Sequence, residues 1–213
     1  MAAVLGVERS ICGRLWRERL DDWGLAAALA QSHGLPEIVA RVLAARGVTA
    51  ERVTDFLKPT LRALLPDPSQ LKDMDLAAAR LARAIEAGES VAVFGDYDVD
   101  GATSAALLQR FFKAAGRPLR LYIPDRMKEG YGPNAPALRR LKEEGVSLVV
   151  TVDCGITAYG PLADAAAIGL DVIVVDHHVA EPELPRAVAV VNPNRLDESG
   201  ALRQLAAVGV TFL

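Results

Sequence analysis

Carboxylates crowd one short stretch of this chain. Asp96, Asp98 and Asp100 stand within five residues, in Gly95-Asp96-Tyr97-Asp98-Val99-Asp100-Gly101. Two like charges about 4 Å apart repel by about 4 kcal/mol at an effective dielectric near 20. Asp153 and Asp176 each end an apolar run elsewhere in the chain, and adding them would make an unneutralised cluster prohibitive. Such acids must take up protons, splay into water or hold cations. Oxygen donors beside imidazole suit Mn²⁺ or Mg²⁺, and zinc is also admissible. A calcium loop is the rival, because D-x-D-x-D-G opens an EF-hand. Its twelfth position would be Leu107 where a bidentate glutamate is required, and the motif follows a strand-like run.

Two of the three histidines, His177 and His178, directly follow Asp176. Adjacent histidines after a strand point in different directions, so one can ligate a metal while the other meets substrate or a ligating carboxylate. His33 reads as a helix-end residue. Gly101-Ala102-Thr103-Ser104 opens a helix, where Thr103 and Ser104 either cap it or contact phosphate. The segment Pro124-Asp125-Arg126-Met127-Lys128-Glu129-Gly130-Tyr131-Gly132 supplies the basic side. Arg126 and Lys128 could clamp a phosphate, Tyr131 sits among the substrate-binding candidates, and the glycines allow close backbone approach. Cys154 beside Asp153 is weighed as a thiol nucleophile and set aside, having no histidine next to it in sequence.

The elements that must position these groups are legible in four apolar runs that each stop on an aspartate: VAVFGD at Asp96, RLYIPD at Asp125, LVVTVD at Asp153 and DVIVVD at Asp176. Successive aspartates are 29, 28 and 23 residues apart, and a βα unit needs about 30 residues or fewer between strands. The pattern predicts parallel strands joined by helices near 102–115, 134–144 and 158–168, with a fifth strand at 187–191. Ligand sites of such sheets lie at the carboxyl ends of the strands, so the four acids are expected in one crevice. The fold class is α/β, a parallel sheet with helices on both faces. A small helical N-terminal region precedes it, with residues 1–70 as that region and its linker and 71–213 as the α/β domain. Pro36 stands near one helix start, Thr49 offers a half-formed capping box, and residues 61–71 read as linker. Leu76 to Ile85 is a good helix former closed by Gly88.

With 213 residues, 51% hydrophobic and 24% charged, the chain has ample material for a core. A net charge of −3 gives no global basic field of the kind that advertises nucleic acid, without excluding a local basic groove. Two distant cysteines without a CxxC fit a reducing compartment. The N-terminal MAAVLGVERS lacks a signal-peptide layout and no apolar run reaches the ~18 residues of a membrane span. A soluble, cytoplasmic protein is expected. The tail 205–213 looks like an apolar helix just starting, which reads as a fragment.

The ordered set GDYDVDGATS, PDRMKEGYG, TVDCGI, VVDHH and VNPNR resembles the DHH phosphoesterase superfamily. Together with FLKPTLRALLPDPSQLKDMDLAAARL upstream, it resembles the RecJ-type family of single-strand-specific DNA exonucleases over residues 50–213. The resemblance implies metal ligation by Asp96, Asp98, Asp153 and His177, with Asp98, Asp153, His177 and His178 forming the catalytic set. His178 would bind or polarise the scissile phosphate, Asp176 would orient its neighbours, and Asp100 is the least secure ligand. It further implies two Mn²⁺ or Mg²⁺ ions and 5′-to-3′ removal of nucleotides from single-stranded DNA in repair and recombination. Partners would be single-strand-binding protein and a recombination helicase, around a monomer. A small-substrate DHH phosphoesterase and a non-catalytic DHH scaffold are the alternatives. Full-length members carry a further ligand acid, a DHHA1 domain and an oligonucleotide-binding domain beyond the point where this chain ends. They usually have Gly where Ala207 stands.

Overall fold

The computed structural model describes residues 6–213. The N-terminal segment read against a signal peptide begins in residues 1–5, outside the described residues. The chain divides into two compact units, residues 1–65 and 66–213. The sequence placed the division near residue 70. The difference arises because a 3₁₀ turn at Pro68–Gln70, capped by Asp67, leads into Leu71, which is buried in the core of the second unit.

The first unit carries α1 (Trp23–His33), α2 (Glu37–Ala45), α3 (Val53–Leu57) and α4 (Leu61–Leu64). Leu29, Ala40, Leu43, Val48 and Val53 form its core. Asp22 accepts from the Leu25 amide at the start of α1, and His33 is that helix's last residue. Thr49 makes no capping bond; a 3₁₀ turn at Ala50–Arg52 leads into α3 instead. The stretch expected as bare linker holds α4, whose first turn Thr60 caps by accepting from the Ala63 amide.

In the second unit the order is α5 (Met74–Ala87), β1 (Val91–Gly95), α6 (Val99–Ala114), β2 (Arg120–Tyr122), α7 (Arg126–Glu129), α8 (Ala135–Glu143), β3 (Leu148–Val152), α9 (Tyr159–Ala167), β4 (Asp171–Val175), β5 (Ala189–Val191) and α10 (Ala207–Phe212). The strands form a five-stranded, all-parallel sheet in the order β2-β1-β3-β4-β5 among the described residues. A parallel sheet needs cover on both faces. Alternate strand residues supply it: Val91, Val93, Val150 and Ile173 pack with residues of α5, α6 and α10. Ala92, Phe94, Val149 and Val172 pack with residues of α8 and α9. Gly88 closes α5 in the left-handed conformation, φ 68°, donating its N–H to Ala84 O.

Register is what builds the site. Gly95 stands opposite Val152, and Val152 opposite Val175. The next residue of each strand, Asp96, Asp153 and Asp176, therefore falls in one row across the carboxyl ends. Each donates its amide to the neighbouring strand, at Val152 O, Val175 O and Val191 O. Strand order reverses between β1 and β3, the position where open parallel sheets form their ligand crevice.

Candidate metal centre

Asp96 and Asp153 lead the row, and Asp98 joins them from the β1–α6 turn. Asp96, Asp98 and Asp153 offer carboxylate oxygens all within 4.8 Å of one another. Asp153, His177 and His178 form a second such group, and the two groups share Asp153. His177 Nε2 is 3.3 Å from Asp153 Oδ1, and the two imidazole rings are 4.7 Å apart, tilted by 56°.

Asp153 is the centre of this arrangement. It is 1% exposed, and neither carboxylate oxygen has a hydrogen-bond donor. Its backbone is left-handed at φ 61°, an uncommon and mildly strained state for a side-chain-bearing residue. Burial, the contact with Asp98 and the charges of Asp100 and Asp98 push its pKa up to about 7, against the pull of His178. Burial also raises Asp96. Asp98 goes the other way, chiefly because the Gly101 amide donates to it. A buried carboxylate without donors is costly unless something compensates its charge. The donor set of three carboxylates and imidazole fits a hard divalent cation.

Asp176 occupies the same row but is built differently. It is fully buried, with Oδ1 accepting from the amides of His177 (2.7 Å) and His178 (3.2 Å) and from His178 Nδ1 (2.7 Å). Oδ2 accepts from the Ile156 amide at 3.0 Å. Burial raises its pKa, but these donors outweigh burial and hold it below the usual range. The same bond, partly offset by burial, raises His178. With Asp176 ionised, His178 Nδ1 points its proton at that carboxylate, and in the protonated ring that this bond favours, Nε2 carries a proton too and can donate.

Asp125, expected in the crevice, is absent from both groups. Tyr122 pairs with Phe94 in register, so Pro124 takes the place beside Asp96 and Asp125 falls one residue beyond the row. There it caps α7, accepting from the Met127 amide, and pairs with Lys128 at 3.1 Å. Lys128 is thereby turned to an exposed surface pair. Arg126 lies over the Tyr97 ring at 4.9 Å, where its charge partly offsets the burial that raises Asp96. Tyr131 donates its hydroxyl to Asp153 O at 3.2 Å and lies 3.5 Å from His178 Nδ1.

Thr103 and Ser104 do not stand where the sequence reading put them. Asp98 caps α6 by accepting from the Asp100 and Gly101 amides, while Thr103 Oγ1 donates back to Val99 O at 2.6 Å. Ser104 is fully buried, so its hydroxyl cannot meet a phosphate. Cys154 is also fully buried, and burial pushes its thiol well above the ordinary range, which removes it as a nucleophile. A cavity of about 610 Å³ lies elsewhere, lined by Leu81, Ile85, Phe111, Val175 and Phe212; it gathers almost no polar groups and offers no chemistry.

Sequence reasoning assigned no role to Asn192 and Asn194. Asn192 Nδ2 donates to His178 O at 2.9 Å, and Asn194 Nδ2 donates to His177 O. Arg195 anchors this loop from beneath, bonding Asp73, Asp197 and Val190 O. The two asparagines thus hold the main chain of both histidines.

Comparison with known proteins identifies the family. The DHH family, N-terminal domain, matches residues 90–213. The single-stranded-DNA-specific exonuclease RecJ of Bacillus subtilis is 40% identical over 92% of this chain, and that of Escherichia coli 36% identical over 84%. The chain spans about a quarter of the first relative's length and under a third of the second's, 25% and 30%. Among solved structures, Thermus thermophilus RecJ in complex with Mn²⁺ is similar over 91% of this chain and 26% of its own, with a TM-score of 0.68 and 28% identity. An exonuclease RecJ bound to manganese is similar over 67% of this chain and 36% of its own, with a TM-score of 0.61 and 37% identity.

Proposed function

From the premise that the chain belongs to the DHH family, we propose that it is the metal-binding part of a phosphodiesterase acting on single-stranded DNA. The observation that carries this reading is the buried, donor-free carboxylate of Asp153, shared between two groups of ligand atoms. Two neighbouring groups with one acid in common would suit a pair of Mn²⁺ or Mg²⁺ ions. The ions would activate water and offset charge on the leaving oxygen, which is the large electrostatic share of such catalysis.

In this reading Asp96, Asp98, Asp153 and His177 hold the ions. His178, fixed by Asp176 through Nδ1, presents Nε2 to the scissile phosphate. Arg126, braced on Tyr97, receives a neighbouring phosphate, and Tyr131 borders the same space while steadying the strained Asp153 turn through its carbonyl. Contacts from Thr103 and Ser104 form no part of it. The substrate assignment rests on the RecJ relatives, whose matches extend across the N-terminal unit that small-substrate DHH enzymes do not need. Removal of nucleotides 5′ to 3′ in repair and recombination, work beside single-strand-binding protein and a recombination helicase, a monomeric state and a cytoplasmic location belong to the same proposal. No helix among the described residues is long and apolar enough to cross a membrane.

The test is Mn²⁺ calorimetry combined with digestion of a 5′-labelled single-stranded oligonucleotide, on this chain and on one extended to the relatives' length. Asp153→Ala is expected to abolish Mn²⁺ uptake and to lower cleavage by at least a hundredfold. Unchanged titration in that variant refutes the metal reading, and faster turnover of dinucleotides than of long single strands refutes the substrate.

A further inference from the structure

Asp96, Asp98 and Asp100 share one short turn, and the resemblance left Asp100 the least secure ligand of the three; the fold gives it separate work. Its side chain is 16% exposed and engaged at both oxygens. Oδ2 accepts from the Ala207 amide at 2.7 Å, and Oδ1 from the Val208 amide at 2.8 Å, across more than a hundred residues of sequence. Oδ2 also lies 3.5 Å from His177 Nε2. The main chain of the same residue faces the acids, donating its amide to Asp98 Oδ1 at 2.8 Å. The Asp100 carboxylate belongs to neither group of ligand atoms.

We propose that Asp100 is a positioning residue, not a ligand: it ties the first turn of α10 to α6 and sets where His177 and Asp98 stand. Each of its oxygens satisfies an amide at the start of α10 that has no partner within the helix. Moving the carboxylate onto an ion would strain or break those bonds. Holding them keeps Oδ2 facing His177 Nε2, and keeps the turn in which Asp98 caps α6. Helix α10 is thereby wired to the centre through one side chain. For its metal arm this inference rests on the function proposed above; the link itself is a property of the metal-free protein.

The experiment cuts the link at either end. Asp100→Asn replaces one acceptor oxygen by an N–H₂ that faces an amide donor. Ala207→Pro leaves Asp100 intact and removes the amide that feeds Oδ2. Proline is tolerated at a first helical position, and Ala206 already has the extended backbone, φ −73° and ψ 166°, that a residue before proline adopts. The chain has three histidines, so ring ¹H–¹³C signals resolve individually, with His33 as the internal reference.

In metal-free protein, both variants are expected to shift the His177 ring signal and leave His33 in place. Mn²⁺ affinity should fall about tenfold, the usual effect of losing a group that orients ligands, with the number of bound ions unchanged. A folded Ala207→Pro protein whose His177 signal and Mn²⁺ affinity match the unmodified chain overturns the proposal, because Asp100 is then only a helix cap. Loss of an ion in Asp100→Asn but not in Ala207→Pro also overturns it, by making Asp100 a ligand. An unmodified chain that takes up no Mn²⁺ refutes the metal reading and not this one, which the ring signals decide without metal.

Discussion

Asp176 and Asp153 are the same residue type in the same row, one strand apart, and they are built for opposite ends. Asp176 is saturated, with four N–H donors on its two oxygens; Asp153 has none. The first can only orient, and the second is left for a cation. Composition and spacing could not tell them apart; only the resemblance pointed to an orienting Asp176. Asp176→Asn preserves volume but turns an N–H₂ toward donors that need an acceptor. It should free the His178 ring and lower single-strand cleavage by about ten- to a hundredfold. Mn²⁺ uptake should survive, since Asp96, Asp98 and Asp153 remain in place. A steady-state assay beside a calorimetric titration separates the two effects, and equal loss of both would make Asp176 a ligand.

At the level of elements, the site depends on how closely α6 approaches β1. A Cβ on Gly101 would lie 2.5 Å from Asp96 O and 2.6 Å from Asp96 N, both of them backbone atoms that cannot swing aside. Gly101→Ala must therefore push the first turn of α6 off the strand end and carry Asp98 away from Asp96. Overpacking of this kind destabilises by about 1–3 kcal/mol, and the expected result is a lowered melting temperature together with loss of Mn²⁺ binding. Wild-type affinity in that variant would show that the turn tolerates displacement. The strands were legible because each apolar run ends at an acid, and parallel register then aligned Asp96, Asp153 and Asp176. Asp125 misled because an edge strand that stops at Tyr122 leaves Pro124 in the row. Asn192 and Asn194 were visible within the VNPNR motif, but their role was not: a side chain bonding a distant main-chain carbonyl has no period and no charge pattern. Thr103 and Ser104 were misplaced because a helix start suggests hydroxyl caps, whereas Asp98 already fills that position.

For the molecule as a whole, these local environments set how stability follows pH. Asp153, with a folded pKa of about 7, keeps its proton between roughly pH 4 and 7 while the unfolded chain has released it. Its contribution to stability therefore falls as pH rises through that window and is constant above it. The raised Asp96 acts in the same direction. So does His178, whose stabilising bond to Asp176 favours the protonated ring and is lost as pH climbs past its raised pKa. The lowered carboxylates oppose them only in acid. Asp197, pulled down to about 2 by Arg195 and Lys72, stabilises above its unfolded pKa near 4 and loses that contribution as pH falls toward 2. Metal-free protein should thus be most stable near pH 4–5 and melt lower at pH 8. A cation at Asp153 must displace the proton, so affinity falls by up to about tenfold per unit below pH 7. Mn²⁺ should then raise the melting temperature far more at pH 8 than at pH 5, cancelling or reversing the metal-free trend. Asp153→Asn should flatten most of the metal-free slope and remove the Mn²⁺ effect together. Differential scanning fluorimetry across pH 4–8, with and without Mn²⁺, measures both. A metal-free melting temperature that climbs steadily from pH 5 to pH 8 would mean that Asp153 is already ionised, its charge compensated by the protein alone.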